Sequence, residues 1–283
     1  MTARPTVAVV TDALSPDFYF PIWHRYYAAQ FGAKALHVLT YPGFAKDFAD
    51  CELGGIVELS DGYLDEMRAK AISGYAAFLL EFNDVVIRVD ADEFVVPDLR
   101  RFASLADYLA RTKLPYVTAL GLDVIQRPDE APLDLARPIL IEQRNYAYAN
   151  TSLNKTCMTR LPLRWSPGFH ACTVPPQFDG CFLIHLKRAD VEQQMRWFAF
   201  MNPQVTGELF KEYYSPNRAK IEEYHYGINV RPMAGDVDQL FYSEYHQNYL
   251  ESVKFVATEK IYGGDHFHDQ HLVRLPASFA GLL

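Results

Sequence analysis

The chain has 283 residues, 49% of them hydrophobic and 14% aromatic, enough to bury a large core and too apolar for a disordered segment. With 35 acidic against 27 basic residues the formal charge is −8, and no run of Lys and Arg offers the positive footprint a phosphate backbone demands, so nucleic acid is excluded as a partner. The first residues lack a charged and apolar leader pattern, and no apolar stretch reaches the ~18 residues of a membrane span, which reads as a soluble, cytoplasmic protein without a transmembrane segment.

Residues 6–10 form a β-branched run, and Ser15-Pro16 offers an N-cap followed by proline at the first helical position. Phe20, Trp23, Tyr27 and Phe31 then recur three or four apart, Gly32 supplies a stop, and strand character resumes over 35–40. The pattern repeats: a strand at 55–59, a helix over 65–82 with Met67, Ala71, Tyr75, Phe78 and Phe82 marking its apolar face, and a strand at 85–89. Strands alternating with such helices predict a doubly wound, mostly parallel, Rossmann-like α/β sheet, in which ligands sit at the carboxyl ends of strands. A helix is expected within 99–112, strands at 139–141 and 181–186, and a helix over 239–255. The domain expectation is a main α/β unit at 1–200 with a mainly helical extension at 201–283.

The strand at 85–89 ends in Asp90-Ala91-Asp92-Glu93, and Phe94 to Val96 resumes the apolar pattern. Three carboxylates between two buried segments repel one another unless a cation compensates them, and hard divalent ions prefer such oxygens. The alternative is a solvated acidic turn. The four cysteines, Cys51, Cys157, Cys172 and Cys181, lack C-x-x-C spacing and read as reduced thiols rather than a zinc site.

The segment from Asp90 to Pro97 resembles the D-x-D-E-F-hydrophobic-x-P signature of family 2-like and family 92-like glycosyltransferases of the GT-A type. Matching segments follow in order: Trp23 to Tyr27 with Gly32, Lys70 to Gly74, Trp165 to His170, and Leu183 to His185. Ser73 stands where the family often has Asn, and no clear Glu-Asp pair follows the acidic run. The resemblance implies a GT-A fold and transfer of a sugar from a nucleoside diphosphate sugar, UDP-sugar favoured, to a hydroxyl on a glycan, lipid-linked or small-molecule acceptor. Mn²⁺ or Mg²⁺ would bridge diphosphate and aspartates, with Asp92 as principal ligand, Asp90 on metal or ribose, and Glu93 near the sugar.

Other candidates carry two readings each. Thr11 and Asp12 after the first strand, and Tyr41 after the second, either line the nucleotide crevice, with Tyr41 stacking on the base, or serve loop chemistry. Lys70 either meets the diphosphate or is a solvated helix lysine. His170, aimed by the Pro167-Gly168 turn, is either a further metal ligand or structural; His185 is either a strand-end ligand or core. Asp179 and Glu142 are candidates for the catalytic base. Asp236 and Asp238 read as helix-capping residues, and the run from Asp265 to His271 as a polar segment, a lid, or a rival metal site through His268 and His271 on one helical turn. The rival functions are another metal-dependent phosphoryl or nucleotidyl transferase and a non-catalytic nucleotide-sugar-binding protein.

Overall fold

The computed structural model describes residues 4–60, 65–205 and 207–283. Part of the N-terminal stretch read for a leader, residues 1–3, lies outside the described residues. In chain order the elements are β1 (Val7–Asp12), α1 (Phe20–Phe31), β2 (Leu36–Thr40), β3 (Gly55–Glu58), α2 (Asp65–Leu79), β4 (Val85–Arg88), β5 (Glu93–Pro97), α3 (Leu105–Arg111) and β6 (Tyr116–Val124). They continue with β7 (Tyr146–Ala149), β8 (Thr156–Thr159), β9 (Phe178–His185), α4 (Val191–Met201), α5 (Glu208–Tyr213), α6 (Arg218–Asn229), β10 (Met233–Asp236), α7 (Glu244–Ser252), β11 (Lys254–Val256), β12 (Ile261–Gly263) and β13 (Leu272–Arg274).

The architecture is α/β. The strand order is β10-β13-β7-β6-β8-β4-β1-β2-β3, with β9 pairing both β6 and β5 beside that path. The β4-β1-β2-β3 half is parallel, as the β-α-β reading expects, while β8 and β7 run antiparallel to their neighbours. Side-chain alternation sorts the layers. Val7, Val9 and Ile87 point to the face covered by α1, and Ala8, Val10 and Val86 to the face covered by α2. From the segment after residue 200, β10 and β13 extend the same sheet at its far edge.

Several local expectations change. Helix α1 opens at Phe20, not at Ser15-Pro16, because residues 15–19 form a loop in which Phe18 takes φ 57°. Helix α2 ends at Leu79 and turns its small residues inward: Ala69, Ser73 and Ala76 lie buried with Ile72 and Leu79, while Phe78 and Phe82 are 55% and 70% exposed. Small side chains let the helix axis approach the sheet, and the Ser73 hydroxyl bridges the Ala69 carbonyl and the Trp165 amide, which the bulkier aromatic row has no room to do. Helix α3 begins only at Leu105, where the Ser104 hydroxyl caps the Asp107 amide. Residues 139–141 make no strand, and Ile141 adopts φ 71°. The expected 239–255 helix divides into a short 3-10 turn, α7 and the strand β11. Among the described residues, no helix is long and apolar enough to cross a membrane.

Candidate active site

The carboxyl ends of β1, β4, β6 and β9 and the start of β5 converge on one pocket mouth. Parallel pairing of β6 with β9 sets Asp123 opposite His185, and antiparallel pairing of β5 with β9 sets Glu93 opposite His185. The Leu186 amide donates to the Asp92 carbonyl at 3.0 Å, so Asp92 and His185 are held as neighbours by backbone. Their side chains meet: His185 Nε2 lies 3.3 Å from Asp92 Oδ2, and His185 Nδ1 lies 2.5 Å from Asp123 Oδ1. Burial works against a charged imidazole here, yet the two carboxylates outweigh it and raise the His185 pKa to about 10. The same imidazolium holds Asp92 and Asp123 below the ordinary carboxylate range against their own desolvation.

Asp90 belongs to a second cluster. Its Oδ1 accepts from Arg68 and Arg88 at 2.5 Å each and its Oδ2 from Lys155 at 2.8 Å. Burial opposes its ionisation, but Arg88, Lys155 and Arg68 hold it well below the usual range. Asp12 joins through Arg68 Nε at 2.6 Å and Tyr41 Oη at 3.0 Å, and Glu93 through Lys155 at 2.6 Å. Three acids, Asp12, Asp90 and Glu93, therefore face three cations, Arg68, Arg88 and Lys155. Phe169 floors this cluster with its ring 3.0 Å from the Arg88 guanidinium carbon and 4.6 Å from that of Arg68. Gly168 and Phe169 both take positive φ to reach there, and a Cβ at Gly168 would meet the His170 ring at 2.7 Å.

The pocket is bounded by residues 12–20, the 90–92 turn, the end of β9 and the face of α4. One wall is aromatic: Phe18 meets Trp197 edge-on at 5.1 Å, and Trp197 stacks on Phe200. Lys187, two residues after His185, lines the same space and donates to the Tyr213 hydroxyl at 2.7 Å.

Among the residues singled out from sequence, Asp12, Asp90, Asp92 and His185 line this pocket together. The others do not. Glu93 is 1% exposed, with burial and Asp90 raising its pKa, and it faces Lys155 rather than open space. Thr11 is buried on β1, and Tyr41 is buried with its hydroxyl on Asp12, so its ring has no face for a base. Lys70 points to solvent and pairs with Glu66, while Arg68, on the inward row, lines the pocket. His170 is tied by Nδ1 to the Ser152 carbonyl at 2.6 Å, burial with nearby Lys155 lowers its pKa to about 3, and its ring lies beside that of His266, outside the pocket lining. Asp179 accepts from Tyr108 at the start of β9, six residues and roughly 20 Å of strand away from His185. Glu142 lies at the surface 3.9 Å from Arg137. Asp236 makes no side-chain cap and Asp238 pairs with Arg100. His268 sits in an extended bridge to Asn150, not on a helical turn with His271.

Sequence reasoning missed Arg68, Asp123, Lys187 and Trp197. Asp123 carried a signal, being the one acid inside the apolar run from Val117 to Ile125. Arg68 lies four residues before Ile72 and so on the inward row of α2.

Among the described residues, no group of three or more His, Cys, Asp and Glu is positioned to hold a metal. The pair Asp92 and His185 still fits a hard cation. An imidazole whose far nitrogen is fixed by a carboxylate has the usual support of a metal-binding histidine, and Mg²⁺-type ions are commonly held by one or two carboxylates, here Asp92, and complete their shell with phosphate oxygens and water. Asp90 does not fit, because both its oxygens are occupied by cations.

No family model matches the chain, and no curated protein matches it. Among solved structures it is similar to a mannose-1-phosphate geranyltransferase from Thermus thermophilus, at 12% identity and TM-score 0.31, over 78% of this chain and 68% of that one. A likeness of that degree bears on neither chemistry nor substrate.

Proposed function

We propose that the chain is a metal-dependent glycosyltransferase acting on a nucleoside diphosphate sugar, UDP-sugar favoured, and a hydroxyl acceptor. The observation that carries the reading is the Asp92-His185-Asp123 line at the carboxyl ends of β6 and β9 and the start of β5, opening into a pocket that Arg68, Lys187 and an aromatic wall also line. Mn²⁺ or Mg²⁺ on Asp92 and His185 would supply positive charge where the departing diphosphate gains negative charge.

The protein groups divide the remaining work. Asp123 accepts the Nδ1 proton of His185 and so keeps Nε2 turned to the pocket. Arg68, held from behind by Asp12, Asp65 and Asp90, presents a fixed guanidinium to the phosphates. Phe18 and Trp197 give apolar ring faces against which a sugar or base stacks. Of the pocket acids, Asp12 and Asp90 are tied to Arg68 and Asp92 faces His185; Asp17, bonded to the Ser15 hydroxyl, is the carboxylate assigned to receive the acceptor proton.

The test is incubation with Mn²⁺ and each common nucleotide sugar, reading thermal shift and nucleoside diphosphate release. The wild-type protein is expected to respond to one donor and Asp92→Asn to none. Absence of both signals with every donor would end this reading.

A further inference from the structure

We infer that the acceptor hydroxyl is carried on an apolar chain, which leaves the pocket past Lys187 and lies along α5; naming its owner an acceptor rests on the transfer reading above. Helix α5 buries none of its residues, and Leu209 is 83%, Phe210 47% and Tyr213 52% exposed. Large apolar groups gathered in this way make a patch of the size that is often functional on a monomer. The helix is nonetheless held in place: the Asn202 side-chain amide donates to the Lys211 carbonyl at 2.8 Å, and Lys187 donates to the Tyr213 hydroxyl.

The position of these side chains selects the occupant. Tyr214, next after α5, lines the pocket, and Tyr213 caps the pocket-lining Lys187. Leu209 with Tyr213 and Phe210 with Tyr214 are i,i+4 pairs, so two apolar rows run outward from the pocket rim, about 6 Å per step. Polarity therefore changes along one path, from Asp92, His185 and Lys187 at the inner end to Leu209 and Phe210 at the outer end. That order matches a polar head joined to an apolar tail. The three exposed side chains offer on the order of 300 Å², given 150–250 Å² for a whole aromatic. A stable protein interface needs about 800 Å² per partner, so a slender chain suits the ramp better than a second protein.

The experiment compares binding of methyl and n-octyl β-D-glucoside in the presence of UDP and Mn²⁺, followed by tryptophan fluorescence; Trp23 and Trp165 are buried, and Trp197 lines the pocket. The octyl compound is expected to bind at least tenfold tighter. In the double variant Leu209→Ser/Phe210→Ser the two should bind within twofold of each other, with the methyl compound unaffected. Equal affinities in the wild-type protein, or an octyl preference that survives the double variant, would overturn the inference. So would equal affinities accompanied by sedimentation with neutral phosphatidylcholine vesicles that the double variant abolishes, which would assign the ramp to a membrane surface. Nucleoside diphosphate release, measured in parallel samples in which each common nucleotide sugar replaces UDP, separates the two claims. Release without chain-length preference removes the ramp alone, whereas an octyl preference with no release from any donor removes the transfer reading and with it the acceptor assignment.

Discussion

Replacing Asp123 with Asn keeps the shape of the side chain and removes one of the two charges that flank His185. The imidazole is raised from 6.5 to about 10, a net difference worth about 5 kcal/mol at 1.36 kcal/mol per pH unit; burial opposes that rise, so the two carboxylates together supply more than the net, and loss of the Asp123 charge should cost a few kcal/mol. The sign follows from the raised value: in metal-free protein this stabilisation is complete below about pH 6.5 and fades as pH rises through 10, so the variant's deficit is largest in mild acid. A second effect concerns metal. The Asn150 amide already donates to Asp123 Oδ2, so the carboxamide introduced by Asp123→Asn must turn its oxygen toward Asn150 and its NH₂ toward His185 Nδ1. The imidazole then carries its proton on Nε2 and ceases to be a ligand, for an expected tenfold to hundredfold loss of Mn²⁺ affinity. Thermal melts of chelator-treated protein from pH 6 to 10 and calorimetric Mn²⁺ titration at pH 7.5 read the two effects. Unchanged melting at pH 6 together with unchanged Mn²⁺ affinity would refute the reasoning.

Four further substitutions, with Lys70→Met as a control, separate the groups of the site. Lys155→Met leaves Asp90 and Glu93 buried without their shared ammonium and should cost about 3–5 kcal/mol in chemical denaturation, far more than any loss at exposed Lys70. Arg68→Met should weaken donor binding at least tenfold in a UDP titration, whereas Lys70→Met should leave it unchanged. Trp197→Ala should raise the KM for donor or acceptor about tenfold with the melting temperature within a few degrees of wild type; an unchanged KM for both removes the stacking role. Asp17→Asn should lower kcat about a hundredfold with little change in donor KM, and a kcat within twofold of wild type would remove Asp17 as the proton acceptor.

The parallel half of the fold was legible because its signals are local. β-branched runs at β1, β2 and β4 and helix-length spacers between them need no knowledge of the rest of the chain. The orientation of α2 was not legible, since Met67, Tyr75, Phe78 and Phe82 make a convincing apolar row, and the inward row of Ala69, Ser73 and Ala76 wins only through close contact with the sheet. The site shows the same division. Asp92 followed from its place at a strand end, but its partner Asp123 is 31 positions further on, in a strand whose parallel pairing with β9 leaves no mark in either segment. Asp90 read as a ligand because sequence shows the acids of that turn and hides the cations, Arg68 and Lys155, that the fold brings to it.

The double role of β9 bears on how the chain folds. Both of its partners, β5 and β6, precede it by many tens of residues, and the pairings Glu93↔His185 and Asp123↔His185 close loops of 92 and 62 positions. Such closures are slow, because chain entropy is lost before the contacts are gained. During synthesis the β1–β4 sheet has all its strands once residue 88 is out, while the Asp92 and Asp123 carboxylates wait for a counter-charge 93 and 62 residues further along the chain. Folding intermediates should therefore hold a native parallel sheet with an unfinished acidic edge, and His185 is the residue whose arrival both joins β5 to β6 through β9 and brings that edge its counter-charge.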